Sequence, residues 1–130
     1  MSATQKNFSL NILTKGKLPS LPFANYKEAV LGKSYDLTLN FVSPTTIHKL
    51  NRDYRKHDKV TDILSFPLDK KTGEIFICLS YANKKAKTFD RTPVNYLSFL
   101  VIHGLVHLKG FDHGDIMEAE EKKYRKKFDI

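Results

Sequence analysis

The sequence predicts an α+β fold: a small mixed β-sheet packed with helices, and a central helix that carries histidines. Three observations predict it. YDLTLNF (35–41) alternates Tyr35, Leu37, Leu39 and Phe41 with polar residues, the period of two expected of a half-buried strand. Ser43-Pro44 and Thr92-Pro93 each read as a helix N-cap followed by the first helical residue. NYLSFLVIHGLVHLK (95–109) is rich enough in apolar residues for a core helix. It is too short and too polar for a membrane span, which needs about 20 apolar residues.

The elements follow in order. FSLNIL (8–13) suits a first strand, and Phe23–Leu31 a short helix closed by Gly32. After the 35–41 strand, the helix opened by Ser43-Pro44 places Ile47, Leu50 and Tyr54 on one face and ends at Tyr54. RKHDKVTD (55–62) is too polar for an element and reads as a loop. ILSF (63–66) is a short strand stopped by Pro67, LDKKTG (68–73) a turn, and EIFIC (74–78) the next strand. A helix is expected over 79–89. The long helix starts at Pro93 and stops at Gly110. A last helix, about 115–128, carries Met117, Tyr124 and Phe128 at helical spacing and is otherwise charged.

The 130 residues, 41% of them hydrophobic, suit one domain spanning 1–130. A single cysteine, Cys78, excludes an internal disulfide. The N-terminus lacks a basic segment followed by an apolar one, so no signal peptide is expected. With no membrane segment, a cytoplasmic protein is expected. Lys and Arg outnumber Asp and Glu by 22 to 14, a net charge of +8, which favours polyanionic partners such as nucleic acid, with simple solubility the competing role.

Three of the five histidines lie in HGLVHLKGFDH (103–113). His103 and His107 are one helical turn apart and share a face. Gly110 can take the left-handed conformation that ends a helix, letting the chain reverse and bring His113 to the same point. Three imidazoles leave a fourth tetrahedral position open, the pattern of a catalytic zinc site. The spacing matches H-E-x-x-H-x-x-G-x-x-H of metzincin proteases. Gly104 stands where those proteases keep a glutamate base, so a different reaction is expected. Gly104 suggests either tight packing against a neighbouring element or open space beside the metal. Asp112 reads as a cap on the last helix or a partner orienting a histidine, with a role as base the alternative. His48 and His57 fall outside the pattern and are expected on the surface.

HGLVHLKGFDH resembles the signature of the YbeY family, H-G-x-L-H-L-x-G-Y-D-H, with Val106 and Phe111 as departures. LNRDYRKHDKVTDILSFP (50–67) is similar to the family's L-N-x-x-Y-R-x-K-D-K-P-T-D-V-L-S-F-P, and GEIFIC (73–78) to its G-D-I-x-I-C. Val60 stands for proline, His57 for lysine and Glu74 for aspartate. The likeness spans about 35–128, and the N-terminal third carries no motif.

The resemblance implies a zinc-dependent endoribonuclease specific for single-stranded RNA. It would act in ribosomal RNA maturation, notably at the 3′ end of 16S rRNA, and in ribosome quality control. It implies one zinc per chain held by His103, His107 and His113. Arg55 becomes the basic residue of the catalytic cleft, against a surface salt bridge with Asp53 or Asp58. Single-stranded RNA, rRNA or ribosomal particles become the expected partners. Tyr54, Phe66 and Tyr81 are candidates for stacking on unpaired bases, with core packing the competing role. Two other functions fit fewer of the residues. One is a zinc-containing ribosome-assembly factor that binds RNA without cutting it. The other is a metalloprotease-like hydrolase, against which Gly104 stands.

Overall fold

The computed structural model describes residues 2–5 and 7–130, with side chains from residue 7 onward. Among the described residues, five strands form one mixed sheet: β1 (Ser2–Gln5), β2 (Phe8–Ile12), β3 (Asp36–Phe41), β4 (Ile63–Asp69) and β5 (Thr72–Ile77). Their spatial order is β1-β2-β3-β5-β4. β2, β3 and β5 are parallel, and β1 and β4 run antiparallel at the two edges. The helices are α1 (Phe23–Leu31), α2 (Pro44–Arg55), α3 (Leu79–Lys85), α4 (Pro93–Leu108) and α5 (Asp115–Lys127). The α+β class and the mixed sheet agree with the sequence reading. None of the described helices is long and apolar enough to cross a membrane.

The strand pattern divides the sheet into two faces. Leu37, Leu39, Phe41, Ile75 and Ile77 point to one side and pack with residues of α1, α4 and α5. Leu64, Phe66 and Phe76 point to the other and pack with Ile47 and Leu50 of α2. The free thiol of Cys78 is buried in that second cluster. Thr92 Oγ1 accepts from the Asn95 N–H (3.1 Å) and Ser43 Oγ from the Thr46 N–H (3.2 Å), so both expected N-caps form. α4 then runs through the core with Leu97, Val101, Ile102, Leu105 and Val106 buried. Each such side chain contributes about 1.5–3 kcal/mol on burial. α4 is therefore a rigid mount for the two histidines it carries.

Four expectations are corrected. β1 was unforeseen, because SATQ has no strand pattern; it pairs antiparallel with β2. β4 does not stop at Pro67 but continues to Asp69. It is an edge strand, where proline's missing N–H is tolerated, and a register irregularity between Pro67 and Asp69 absorbs the ring. The turn shrinks accordingly to Lys70 and Lys71. The 79–89 helix breaks after Lys85 into a 3-10 segment, Ala86–Phe89. Arg55 closes α2 rather than opening the loop, and Lys56 caps the helix in the left-handed conformation (φ 62°).

Candidate metal centre and its cleft

His103 and His107 lie on consecutive turns of α4, and His113 lies on the segment joining α4 to α5. Gly110 takes φ 113°, as the sequence anticipates, and its N–H bonds to the His107 carbonyl (3.1 Å). The reversal brings His113 back over the helix. Ring centroids are 5.3 Å apart for His103–His113, 5.1 Å for His107–His113 and 6.0 Å for His103–His107.

Glu121 of α5 was missed in the sequence, where it is one charge among many. It is buried, and its Oε1 lies 3.0 Å from His103 Nδ1. A carboxylate only accepts, so Nδ1 carries a proton in this contact, which in the neutral ring leaves the lone pair on Nε2. Arg125, one turn further on, places Nη1 3.7 Å from the same carboxylate oxygen. The pKa of His107 is lowered, first by burial, then by the neighbouring histidines and Arg55, which favours the neutral form that can bind a metal.

Three imidazoles are donors of a type that suits zinc. With Zn–N about 2.0–2.1 Å and tetrahedral angles, three ligating imidazoles would have centroids roughly 5 Å apart. Two of the three separations meet that value and the His103–His107 pair is wider. Among the described residues no three or more His, Cys, Asp or Glu side chains stand in an arrangement that could hold a metal ion. The fit therefore rests on donor type, tautomer and ring spacing.

A cleft of about 270 Å³ opens on the histidines and is lined also by Arg55, His57, Lys59, Thr61 and Ser65. Its basic rim is held by Asn51, buried on α2. The Asn51 carbonyl accepts from the His57 N–H (3.1 Å), and its side-chain amide donates to the Lys59 carbonyl (3.0 Å). Asp53 pairs with Arg52 (3.0 Å), and Asp58 with His48 (2.6 Å). Among the described residues, Arg55 has neither expected acid as partner and lines the cleft instead. His57 is exposed, as anticipated, but it too lines the cleft.

The structure decides between the two readings of Gly104. A Cβ there would meet Ile63 Cδ1 at 2.8 Å, Ser65 Oγ at 3.0 Å and Ile75 Cδ1 at 3.1 Å. The glycine lets α4 lie against β4 and β5, and no open space adjoins it. Neither expected role of Asp112 is realised: α5 is capped by Gly114 without a side-chain bond, and the histidine's partner is Glu121. Tyr54 is 70% exposed and meets Phe66 edge-on at 5.8 Å. Phe66 and Tyr81 pack against the α2-side cluster.

Comparison with known proteins gives one answer. Endoribonuclease YbeY of Finegoldia magna is 40% identical over 109 residues, covering 75% of this chain and 71% of that protein. The protein of the same name from Staphylococcus carnosus is 36% identical, covering 79% and 73%. That of Alkaliphilus metalliredigens is 34% identical, covering 88% and 77%. The solution structure of TM1509 from Thermotoga maritima superposes with a TM-score of 0.61 at 28% identity, covering 92% of this chain and 91% of that one. The sequence model of Endoribonuclease YbeY matches residues 7–129 and so takes in most of the N-terminal third, where no motif was legible: the chain belongs to the YbeY endoribonuclease family.

Proposed function

We propose that this chain is a single-domain, zinc-dependent endoribonuclease that cuts single-stranded RNA, with ribosomal RNA and its 16S 3′ end as the substrate in the cell. The observation that carries the reading is the convergence of His103, His107, His113 and Arg55 on one cleft. The family's name, Endoribonuclease YbeY, supports the reaction class.

His103, His107 and His113 would hold the zinc. Zinc bound there supplies a Lewis acid that polarises a phosphoryl oxygen and acidifies a water molecule. The protein's own contribution is positional. Glu121 holds the proton on His103 Nδ1, keeping Nε2 available. Arg55 can hold two phosphate oxygens through its planar fork and offset charge that grows at the reacting phosphate. His57 and Lys59 extend the basic rim along which a phosphate backbone would run. Position 104 carries no base and is packed against the sheet, so peptide hydrolysis of the metzincin kind is not expected.

The test is incubation of zinc-loaded protein with matched single-stranded and duplex RNA, with His103→Ala alongside. Internal cleavage of the single strand alone, lost in the variant, is the expected result. Equal cleavage by His103→Ala, or none by zinc-replete wild type, would sink the reading.

A further inference from the structure

The histidines stand between two cavities of different chemistry. The cleft on one side has the basic rim described above. A second cavity, about 300 Å³, meets it at Asp62, Ile63, His103 and His113. Part of its wall is aromatic. Phe89, Tyr96 and Phe99 stand 5.2–6.1 Å apart with their planes 19–35° from parallel. Tyr96 is buried and donates to Asp62 Oδ2 (2.7 Å), whereas Phe89 is left 46% exposed. The polar lining joins His103, His113 and Lys85 to three carboxylates, Asp62, Glu118 and Glu121, and Arg125 lies 3.0 Å from Glu118 and 3.7 Å from Glu121. Lys85 Nζ lies 3.8 Å from Asp62 Oδ2 and 6.0 Å from the Phe89 ring centre.

A phosphate would meet repulsion from these carboxylates, because the nearby cations Lys85 and Arg125 are already paired to them. A flat, neutral ring with N–H donors on its edge would not, since carboxylates accept from those donors and an exposed aromatic offers a stacking face. The volume is at the lower end for small-ligand pockets, suited to one base rather than to a length of chain. We propose that this second cavity is a nucleobase subsite. An unpaired base next to the phosphate held at Arg55 turns into it, stacks on Phe89 and directs its amino or ring N–H groups to the carboxylates. A base held in a duplex cannot turn out in this way, so the subsite also gives a physical reason for preferring single strands. The proposal rests on the ribonuclease reading above.

The test uses the zinc-loaded full chain and its Phe89→Ala, Phe89→Leu and Phe89→Trp variants, with zinc content and thermal melting followed in parallel. Single-turnover cleavage of one unstructured RNA is measured against enzyme concentration. Phe89→Ala and Phe89→Leu should raise the half-saturating concentration ~5- to 150-fold, the usual range for loss of one stacked base. Phe89→Trp should restore it. An oligonucleotide of the same length with abasic sites should bind wild type and Phe89→Ala equally. If Phe89→Ala does not fold, Leu against Trp decides. Impairment in Leu alone supports the subsite, and equal behaviour of the two overturns it. Wild-type cleavage with an unchanged Phe89→Ala overturns the subsite only, whereas zinc-replete wild type that cuts no RNA overturns the ribonuclease reading itself.

Discussion

Glu121 and Arg55 line different cavities beside the histidines, and single substitutions separate the roles proposed for them. Glu121→Ala removes the acceptor that fixes the His103 tautomer and leaves Arg125 without its nearest buried counter-charge. Loss of such an orienting partner typically weakens metal affinity 10- to 100-fold. Zinc titration with a competing chelator should show that shift, with Glu121→Gln falling in between because its amide oxygen still accepts. Arg55→Ala should behave in the opposite sense, keeping fold and zinc but losing ~100- to 1000-fold in single-turnover RNA cleavage. Arg55→Lys should recover only part, since the charge stays and the fork is lost. An Arg55→Ala protein that cuts at the wild-type rate would remove this residue from the mechanism and turn attention to Lys59. The pH dependence of zinc loading follows from His107. Burial and neighbouring positive charge lower its pKa, so it resists protonation until below the ordinary histidine range, about 6.5. Elemental analysis should find about one zinc per chain at pH 7.5, with occupancy falling as pH drops below ~6 and imidazoles charge.

At the scale of elements, the centre depends on how closely α4 approaches β4 and β5 and on how α2 holds the 55–59 segment. Gly104→Ala gains about 1 kcal/mol of helix propensity. It also forces Ile63 Cδ1 and Ser65 Oγ back from contacts of 2.8 and 3.0 Å, and such overpacking costs about 1–3 kcal/mol. Net destabilisation of up to about 2 kcal/mol is expected in urea unfolding. Gly104→Glu adds a buried, unpaired charge and should fail to fold stably, with no peptidase activity gained. Asn51→Ala breaks the bond to the Lys59 carbonyl, at about 0.5–1.5 kcal/mol, the usual net contribution of one hydrogen bond. If Asn51 holds the basic rim in place, the variant should keep its zinc and lose cleavage. Unchanged cleavage at reduced stability would confine Asn51 to a structural role. These contacts lie beyond a sequence reading for a common reason. Period and capping place α2 and α4 along the chain, but which residue of β4 faces Gly104 depends on sheet order.

Across the whole molecule, a net charge of +8 and a basic cleft rim make RNA affinity salt-dependent. Each phosphate neutralised on a single strand contributes about −0.7 to the slope of log K against log salt. Arg55→Ala should flatten that slope by about 0.7, as measured by equilibrium binding at several salt concentrations. Phe89→Ala should lower affinity and leave the slope unchanged, because stacking releases no counterions. The same pair of measurements thus separates the basic cleft from the proposed base subsite.

What the sequence determined by itself is local. The period of two in 35–41, the Ser43-Pro44 and Thr92-Pro93 starts, the four-residue spacing of His103 and His107 and the stop at Gly110 depend on neighbours within a few positions along the chain. Tertiary structure decided whatever depends on distant residues meeting. It paired β1, which has no pattern of its own, with β2, and carried β4 past Pro67 because that strand lies at an edge. It also chose Glu121 rather than Asp112 as the partner of His103. Asp112 lies next to His113 in sequence but is exposed on the connecting segment. Glu121 is 18 residues from His103, yet the packing of α5 on α4 brings its carboxylate to the ring. A buried carboxylate is stable only where it finds a donor, and the sequence does not show which donor the fold brings to it.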